Sequence, residues 1–449
     1  MRASHFFTLP LKNASRRISS SSSSPHLRAC SVSGGGGRRT HRRLLIATPQ
    51  TRAASSSAAT AEEAAAQLRE RIRSDGGSIT RHQILDGNQL QKLCITLGRQ
   101  KLNNEAQDDG DHHRRPEISS FEPPEVGAAV PPGYHLVYFT PLDFEDSLGP
   151  DGSDRAFNPP PPFVRRMWAG GQMTWSEQKL RVGDRVREVT KLGGVTVKKS
   201  RSGDEMVLVE VDKEYYAPNG VLSLSDRRSW IFRRLAPDHD QGGQPLPHDP
   251  SAAALTNEEP PTPLNFSKTS IIDLQVDDGK RRQRQFTLSP VTLFRFSALT
   301  FNAHMIHYNQ PWTRLKEGHP EVVVHGPLNL VNVLDFWRDC ASRGFVDGVP
   351  AGAQTVPCRQ IKYRAVAPIY AGESFYMEIM PQPQPQPNVD SNGSHTASGD
   401  SDQQGPARFG TSTVLVKKKK KKNGQLHGND NDLVCMTAEI SWKMPEGQE

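Results

Sequence analysis

Asn302, His304 and His307 fall within six consecutive positions of this 449-residue chain. An imidazole both takes and gives a proton near neutral pH, and a carboxamide holds a water or hydroxyl by donating and accepting at once. A histidine with such a partner suits the addition of water to a double bond, or its removal. A histidine satisfied by its own fold is the alternative reading of the same residues. His304 and His307 have helix-like spacing, yet no carboxylate or cysteine stands beside them to complete a zinc set, so no metal is expected.

Two elements must position these side chains. Ser289 is placed to cap a helix and Pro290 fits a first helical position, so a helix is predicted from about residue 290. Val291, Phe294 and Ala298 share one face, with Leu293 and Phe296 beside it, and this side is expected to lie against apolar surface. An unbroken helix would leave Asn302 and His307 roughly 140° apart, so a common pocket requires a turn after Leu299. Downstream, residues 327–337 are apolar nearly all round, as in a helix enclosed by a sheet. With Pro327 opening that helix, the Gly326 N–H is left free at an end that attracts negative charge, or Gly326 is only an entry turn.

Residues 301–307, Phe-Asn-Ala-His-Met-Ile-His, resemble the active-site signature of the MaoC-like (R)-specific enoyl-thioester hydratases, Gly-Asp-x-Asn-Pro-(aliphatic)-His. Ile306 and His307 match; Asn302 stands where that group has Asp, and its Gly, Asn and Pro are replaced by Phe301, His304 and Met305. Residues 321–327 resemble the group's Val-His-Gly entry to the central helix, and residues 364–373 resemble its following strand and turn. Residues 165–171 and 180–184 are similar to the amino-terminal half of two-hot-dog members, the hydroxyacyl-thioester dehydratases type 2 and the mesaconyl-CoA hydratases.

The resemblance implies an α+β tandem hot-dog: antiparallel sheets wrapped around a central helix, degenerate in the first half. It implies reversible dehydration of a (3R)-3-hydroxyacyl thioester to the trans-2-enoyl thioester, by a hydro-lyase without cofactor. Asn302 would orient the water, His307 would carry the proton steps, and the Gly326 amide would hold the thioester oxygen. The partners implied are acyl groups on an acyl carrier protein or coenzyme A; Arg314 and Lys316 could meet the phosphates of coenzyme A or the acidic face of the carrier, or form only an exposed charged face. A homodimer is compatible with the pattern. Hydration of a short mesaconyl-type thioester and non-catalytic acyl-thioester binding are the rival readings.

Up to Ala61 the chain has no acidic residue but ten arginines and lysines among serine runs, the composition of an organelle transit peptide, or else of a basic tail of other use; arginine richness favours the mitochondrial matrix and serine richness leaves a plastid open. The net charge of +7 therefore resides in this leader, and nucleic-acid binding gains no support from it. Cys94, Cys340, Cys358 and Cys435 form no paired motif and are expected as free thiols. No apolar run approaches the roughly 20 residues of a membrane span.

The remaining organisation is read as a first hot-dog over 62–237, a linker over 238–263 rich in Pro, Asp and Gly, and a catalytic hot-dog over 264–449 with low-complexity insertions at 381–432. Residues 62–74 suggest a solvated helix, 89–97 a packed one and 134–139 a strand. Four prolines near 159–162 leave no room for a long helix between 147 and 162, so the first half has lost its central helix there. Strands are predicted over 167–175, 184–190, 206–215 and 230–233, with a short one over 411–416. Leu180-Arg-Val-Gly-Asp parallels Ile369-Tyr-Ala-Gly-Glu as a weak internal repeat. Trp168 and Trp175 are read as core or as cavity lining, and the lysine run 417–422 as a solvated loop.

Overall fold

The computed structural model describes residues 59–99, 102, 122–200, 202–234, 268–276, 281–350, 356–380, 409–419, 421–422, 425–426 and 432–444. The predicted leader up to residue 58, the linker and residues 381–408 of the insertions lie outside them.

After an opening helix, α1 (Ala61–Ser74), in the first half, each half runs through strand into a capped helix. In the first half β1 (Ser78–Ile84) leads to α2 (Gly87–Thr96), whose cap Asp86 accepts from the Gln89 N–H. In the second, β6 (Ser270–Val276) and β7 (Arg281–Thr287) lead to α3 (Pro290–Leu299), whose cap Ser289 accepts from the Thr292 N–H. The weak repeat is a true structural equivalence. Arg181 N–H donates to the Asp184 carboxylate at 2.8 Å, and Tyr370 N–H to the Glu373 carboxylate at 3.1 Å. Val130 N–H reaches the Leu180 carbonyl, just as Val324 N–H reaches that of Ile369. Gly183 and Gly372 occupy the left-handed region at the same point of each turn, as a glycine does without steric cost.

That equivalence locates the missing helix. In the second half a short helix α4 (Gln310–Leu315) comes first, and after Val324 the chain enters α5 (Gly326–Ser342). At the matching point after Val130 the first half makes a 3-10 turn, Tyr134–Val137, and the described residues from there to 164 add just one more, Glu145–Ser147. The strand expected over 134–139 is therefore the vestige of the central helix. The loss lies upstream of the proline run, and at 134–137 rather than 147–162. Gly133 seats this turn on α5, where a Cβ would stand 2.8 Å from Leu334. Tyr134, fully buried, donates to Asp335 of α5 at 2.9 Å.

The first-half strands β2 (Arg165–Trp175), β3 (Arg185–Lys199), β4 (Glu205–Tyr216) and β5 (Leu222–Arg233) match the predicted ones with longer ends. The second half adds β8 (Cys358–Ala365), β9 (Ser374–Met380), β10 (Phe409–Lys418) and β13 (Leu433–Lys443), beside a small ladder of β11 (Lys421–Lys422) and β12 (Gln425–Leu426). One eleven-stranded sheet runs β1-β3-β4-β5-β2-β8-β13-β10-β9-β7-β6, and the halves join where β2 pairs antiparallel with β8. Leu328, Leu330, Val331, Val333, Leu334, Phe336 and Trp337 of α5 are buried within it. At about 25 cal/mol per Å² of apolar surface, this burial is the main stabilising contribution of α5.

Three expectations are corrected. Helix α1 (Ala61–Ser74) is not solvated all round: Ala61, Ala64, Ala65 and Leu68 are fully buried against Phe163, Val207, Val209 and Phe232. The side of α3 read as apolar contact is split: Leu293 and Phe296 are buried as expected, together with Leu299, whereas Val291, Phe294 and Ala298 are exposed. Finally, the short strand expected over 411–416 is present as β10, paired with both β9 and β13, but it runs on into the lysine run read as a solvated loop. Lys417 there meets Glu378, and Lys418, 9% exposed, meets Glu373 and the Pro368 carbonyl at 2.9 and 2.8 Å. Two lysines of the run are thus structural ion-pair partners rather than part of a solvated loop. The four predicted thiols are free and buried.

Candidate active site

Helix α3 stops at Leu299 because Phe301 takes a left-handed φ of 48°, and the Asn302 N–H then closes on the Ser297 carbonyl at 2.9 Å. The side-chain oxygen of Asn302 accepts from the His304 N–H at 3.1 Å, which leaves its amide nitrogen as a donor. A 3-10 turn, Met305–His307, follows. The turn demanded by the spacing is present, built from a bulky residue where glycine is favoured.

His307 is almost wholly buried, and its Nδ1 lies 2.7 Å from the Val323 carbonyl. A carbonyl only accepts, so Nδ1 carries the proton and Nε2 keeps its lone pair. Burial, opposed by the hydrogen bond to Val323, holds its pKa at about 4. The ring of His325, the residue that precedes α5, stacks on it with centroids 3.6 Å apart. His325 is fixed in turn by Ser297 of α3, whose hydroxyl is 2.8 Å from its Nε2. The imidazole of His307 therefore sits beside the start of α5.

Gly326 opens α5, and among the described residues no acceptor meets its N–H. Glycine is required there because a Cβ would lie 2.7 Å from the Trp168 ring. Trp168, from β2, stacks on Tyr363 and meets Trp230 edge-on. Asn302, His304, His307, His325, Gly326 and Trp168 all line one cavity of about 1080 Å³, formed by both halves. Trp168 is thus cavity lining; Trp175 packs against the core. Arg314 is tied to the Pro320 carbonyl and Glu321.

Sequence reasoning missed what the first half contributes. Thr190, Lys213, Asp226 and Met173 are direct cross-strand neighbours on β3, β4, β5 and β2, and Lys213 and Arg228 line the cavity. Lys213 pairs with Glu188 at 2.5 Å, and Arg228 with Asp226 at 2.7 Å. Burial alone would raise the Asp226 pKa, but the Arg228 charge and the His135 hydrogen bond hold it at about 2. The available signal was charge at alternate strand positions where a buried face calls for apolar residues. Asp151, in a loop of the first half, was also missed. Its backbone carbonyl accepts from the Met305 N–H at 2.8 Å, and its Oδ2 lies 3.3 Å from Nε2 of His304.

An antiparallel sheet built from two repeated halves, the second enclosing a central helix with a histidine at its entrance, defines a tandem hot-dog protein with a candidate acid–base site. Residues 133–273 and 255–371 match the family of hydroxyacyl-thioester dehydratase type 2, and the chain belongs to that family. It is 32% identical over 234 residues to a mesaconyl-C(4)-CoA hydratase of Chloroflexus aurantiacus, covering 51% of this chain and 72% of the relative. It is 27% identical over 215 residues to a mitochondrial hydroxyacyl-thioester dehydratase type 2 of Schizosaccharomyces pombe, covering 47% and 67%. Among solved structures, a Mycobacterium tuberculosis protein described as a double hotdog aligns at TM-score 0.42 and 15% identity, over 82% of this chain and 96% of that one. The protein is therefore a thioester hydratase or dehydratase. Among the described residues no group of side chains is arranged to hold a metal, and no helix is long and apolar enough to cross a membrane.

Proposed function

We propose that the chain interconverts (3R)-3-hydroxyacyl and trans-2-enoyl thioesters, with His307 as the base at C2. The observation that carries this reading is the fixed tautomer of His307: Nδ1 is engaged by Val323, so Nε2 is the free base, beside the start of α5. In dehydration, Nε2 of His307 takes the proton from C2, the C2=C3 bond forms, and the hydroxyl on C3 leaves. The Asn302 amide donates to that oxygen and orients it. The thioester oxygen, gaining charge as C2 loses its proton, is held by the Gly326 N–H, a contribution of about 3 kcal/mol for one such donor. Asn302 stands where the family has a carboxylate and supplies no base there, so on this reading His307 returns the proton to the departing oxygen.

The biological setting proposed is fatty-acid synthesis in the mitochondrial matrix, with the acyl group on an acyl carrier protein or coenzyme A. The arginine-rich leader and the similarity to the mitochondrial relative support it. Import of a fluorescent protein fused to residues 1–61 tests the compartment. A second reading, a short dicarboxylic enoyl-CoA, is favoured by the cavity lining, where Arg166, Lys213 and Arg228 stand among the apolar residues. Hydration rates of purified protein across crotonyl, octenoyl and mesaconyl thioesters separate the two. Turnover of none of them, with binding retained, would replace both by a non-catalytic binding role.

A further inference from the structure

Asp151 Oδ2 and His304 Nε2 are both buried and 3.3 Å apart, and neither atom has a hydrogen-bond partner in the described structure. This is a carboxylate and an imidazole brought face to face from opposite halves of the duplicated fold. The encounter is built. Oδ1 of Asp151 is fixed by the Ser153 N–H and hydroxyl at 3.0 and 2.8 Å, so Oδ2 is the oxygen presented to the ring. The loop is clamped onto the catalytic turn by the bond from Met305 N–H to the Asp151 carbonyl. It is clamped too by Gly152, where a Cβ would stand 2.1 Å from the Ala303 carbonyl. His304 lines the same cavity as His307, and the two rings meet edge-on with centroids 5.6 Å apart. Its Nδ1 meets no protein group among the described residues and is not closed off from the cavity.

We propose that His304, oriented by Asp151, is the second acid–base group of the reaction, in place of the carboxylate that Asn302 cannot supply. The proposal rests on the reading of His307 as the C2 base and reassigns the water-side proton. In dehydration the C2–H bond breaks and its proton goes to Nε2 of His307. The electron pair forms C2=C3, the C3–O bond breaks, and the leaving oxygen takes the Nδ1 proton of His304, which enters this step as the imidazolium with its Nε2–H toward Asp151 and leaves it neutral. One proton passed from His307 to His304 restores the site. With Oδ2 of Asp151 placed opposite Nε2, the imidazole presents Nδ1 to the cavity; burial disfavours its charged form, and the carboxylate charge offsets that cost when the ring carries both protons. The other charged or titratable groups around it are His307, Arg166 and His319.

The test compares wild type, Asp151→Asn, His304→Gln and His307→Ala by hydration kinetics, circular dichroism and nitrogen-15 NMR of the histidine rings. Asparagine keeps the Oδ1 acceptor and the loop, but puts an NH2 against Nε2, which flips the His304 tautomer. The expected result is a loss in kcat of about 10²-fold or more in Asp151→Asn and His304→Gln, with KM within about threefold, since a positioned acid–base group typically gives 10²–10⁴. The NMR shows the His304 proton moving from Nε2 to Nδ1 in Asp151→Asn. A folded Asp151→Asn with kcat within about threefold of wild type overturns the proposal, as does an unchanged tautomer or a fall in activity matched by lost folding. Full activity in His307→Ala would instead sink the parent reading, so the two failures are distinct.

Discussion

The imidazole of His325 lies on that of His307, centroids 3.6 Å apart and 16° from parallel. The stack links α3 to the proposed C2 base, because the Ser297 hydroxyl holds His325 and the ring of His325 lies against the plane of His307. Ser297→Ala removes the anchor without touching the cavity base. We expect a kcat loss of about tenfold with little change in KM, read by steady-state hydration of crotonyl-CoA.

Gly326 and Trp168 occupy one space. A Cβ on Gly326 would stand 2.7 Å from the indole, so Gly326→Ala must displace either the ring or the start of α5. Loss of one oxyanion donor costs about 10²–10³ in kcat. If the clash is the cause, Gly326→Ala with Trp168→Ala recovers part of the rate, and a double-mutant cycle in kcat reports the coupling.

The site histidines give stability an acid limb. Burial lowers the pKa of His304 and His325, and of His307 and His319 to about 4 each. Their folded values lie below the ordinary 6.5, so the unfolded chain binds protons that the folded one refuses. Stability is full above about pH 6.5 and is lost as pH falls toward 4. Each tenfold difference in proton affinity between the folded and unfolded chain is worth about 1.4 kcal/mol. His307→Gln should therefore reduce the loss between pH 7.5 and 5 by on the order of 2 kcal/mol, read from urea denaturation at both pH values.

Phe301 is 61% exposed and held at positive φ, where a side chain is strained. Phe301→Gly should stabilise the protein by about 1 kcal/mol, seen as a higher thermal midpoint.

Much of the second half was legible because its signals are local. Ser289 and Pro290 announce α3, the apolar run announces α5, and the spacing from Asn302 to His307 demands the turn that Phe301 makes. The repeat at residues 180–184 and 369–373 was visible because each turn uses its own carboxylate to hold its own backbone. Of the apolar residues read on α3, Leu293 and Phe296 meet the core while Val291, Phe294 and Ala298 do not, because apolar residues spread around a helix do not say which side is covered. Phe294 remains at the cavity rim, 65% exposed.

By itself the sequence determined the elements and the chemistry on them: a histidine after a capped helix, a glycine at the entrance of an apolar one, strands with alternating character. Only the tertiary structure decided which groups meet. Asp151 and His304 are 153 positions apart and belong to different halves, and Lys213, Asp226 and Arg228 face the cavity only through strand register. Such pairs are set by how the two halves dock edge to edge through β2 and β8. Periodicity within a single segment carries no information about that docking.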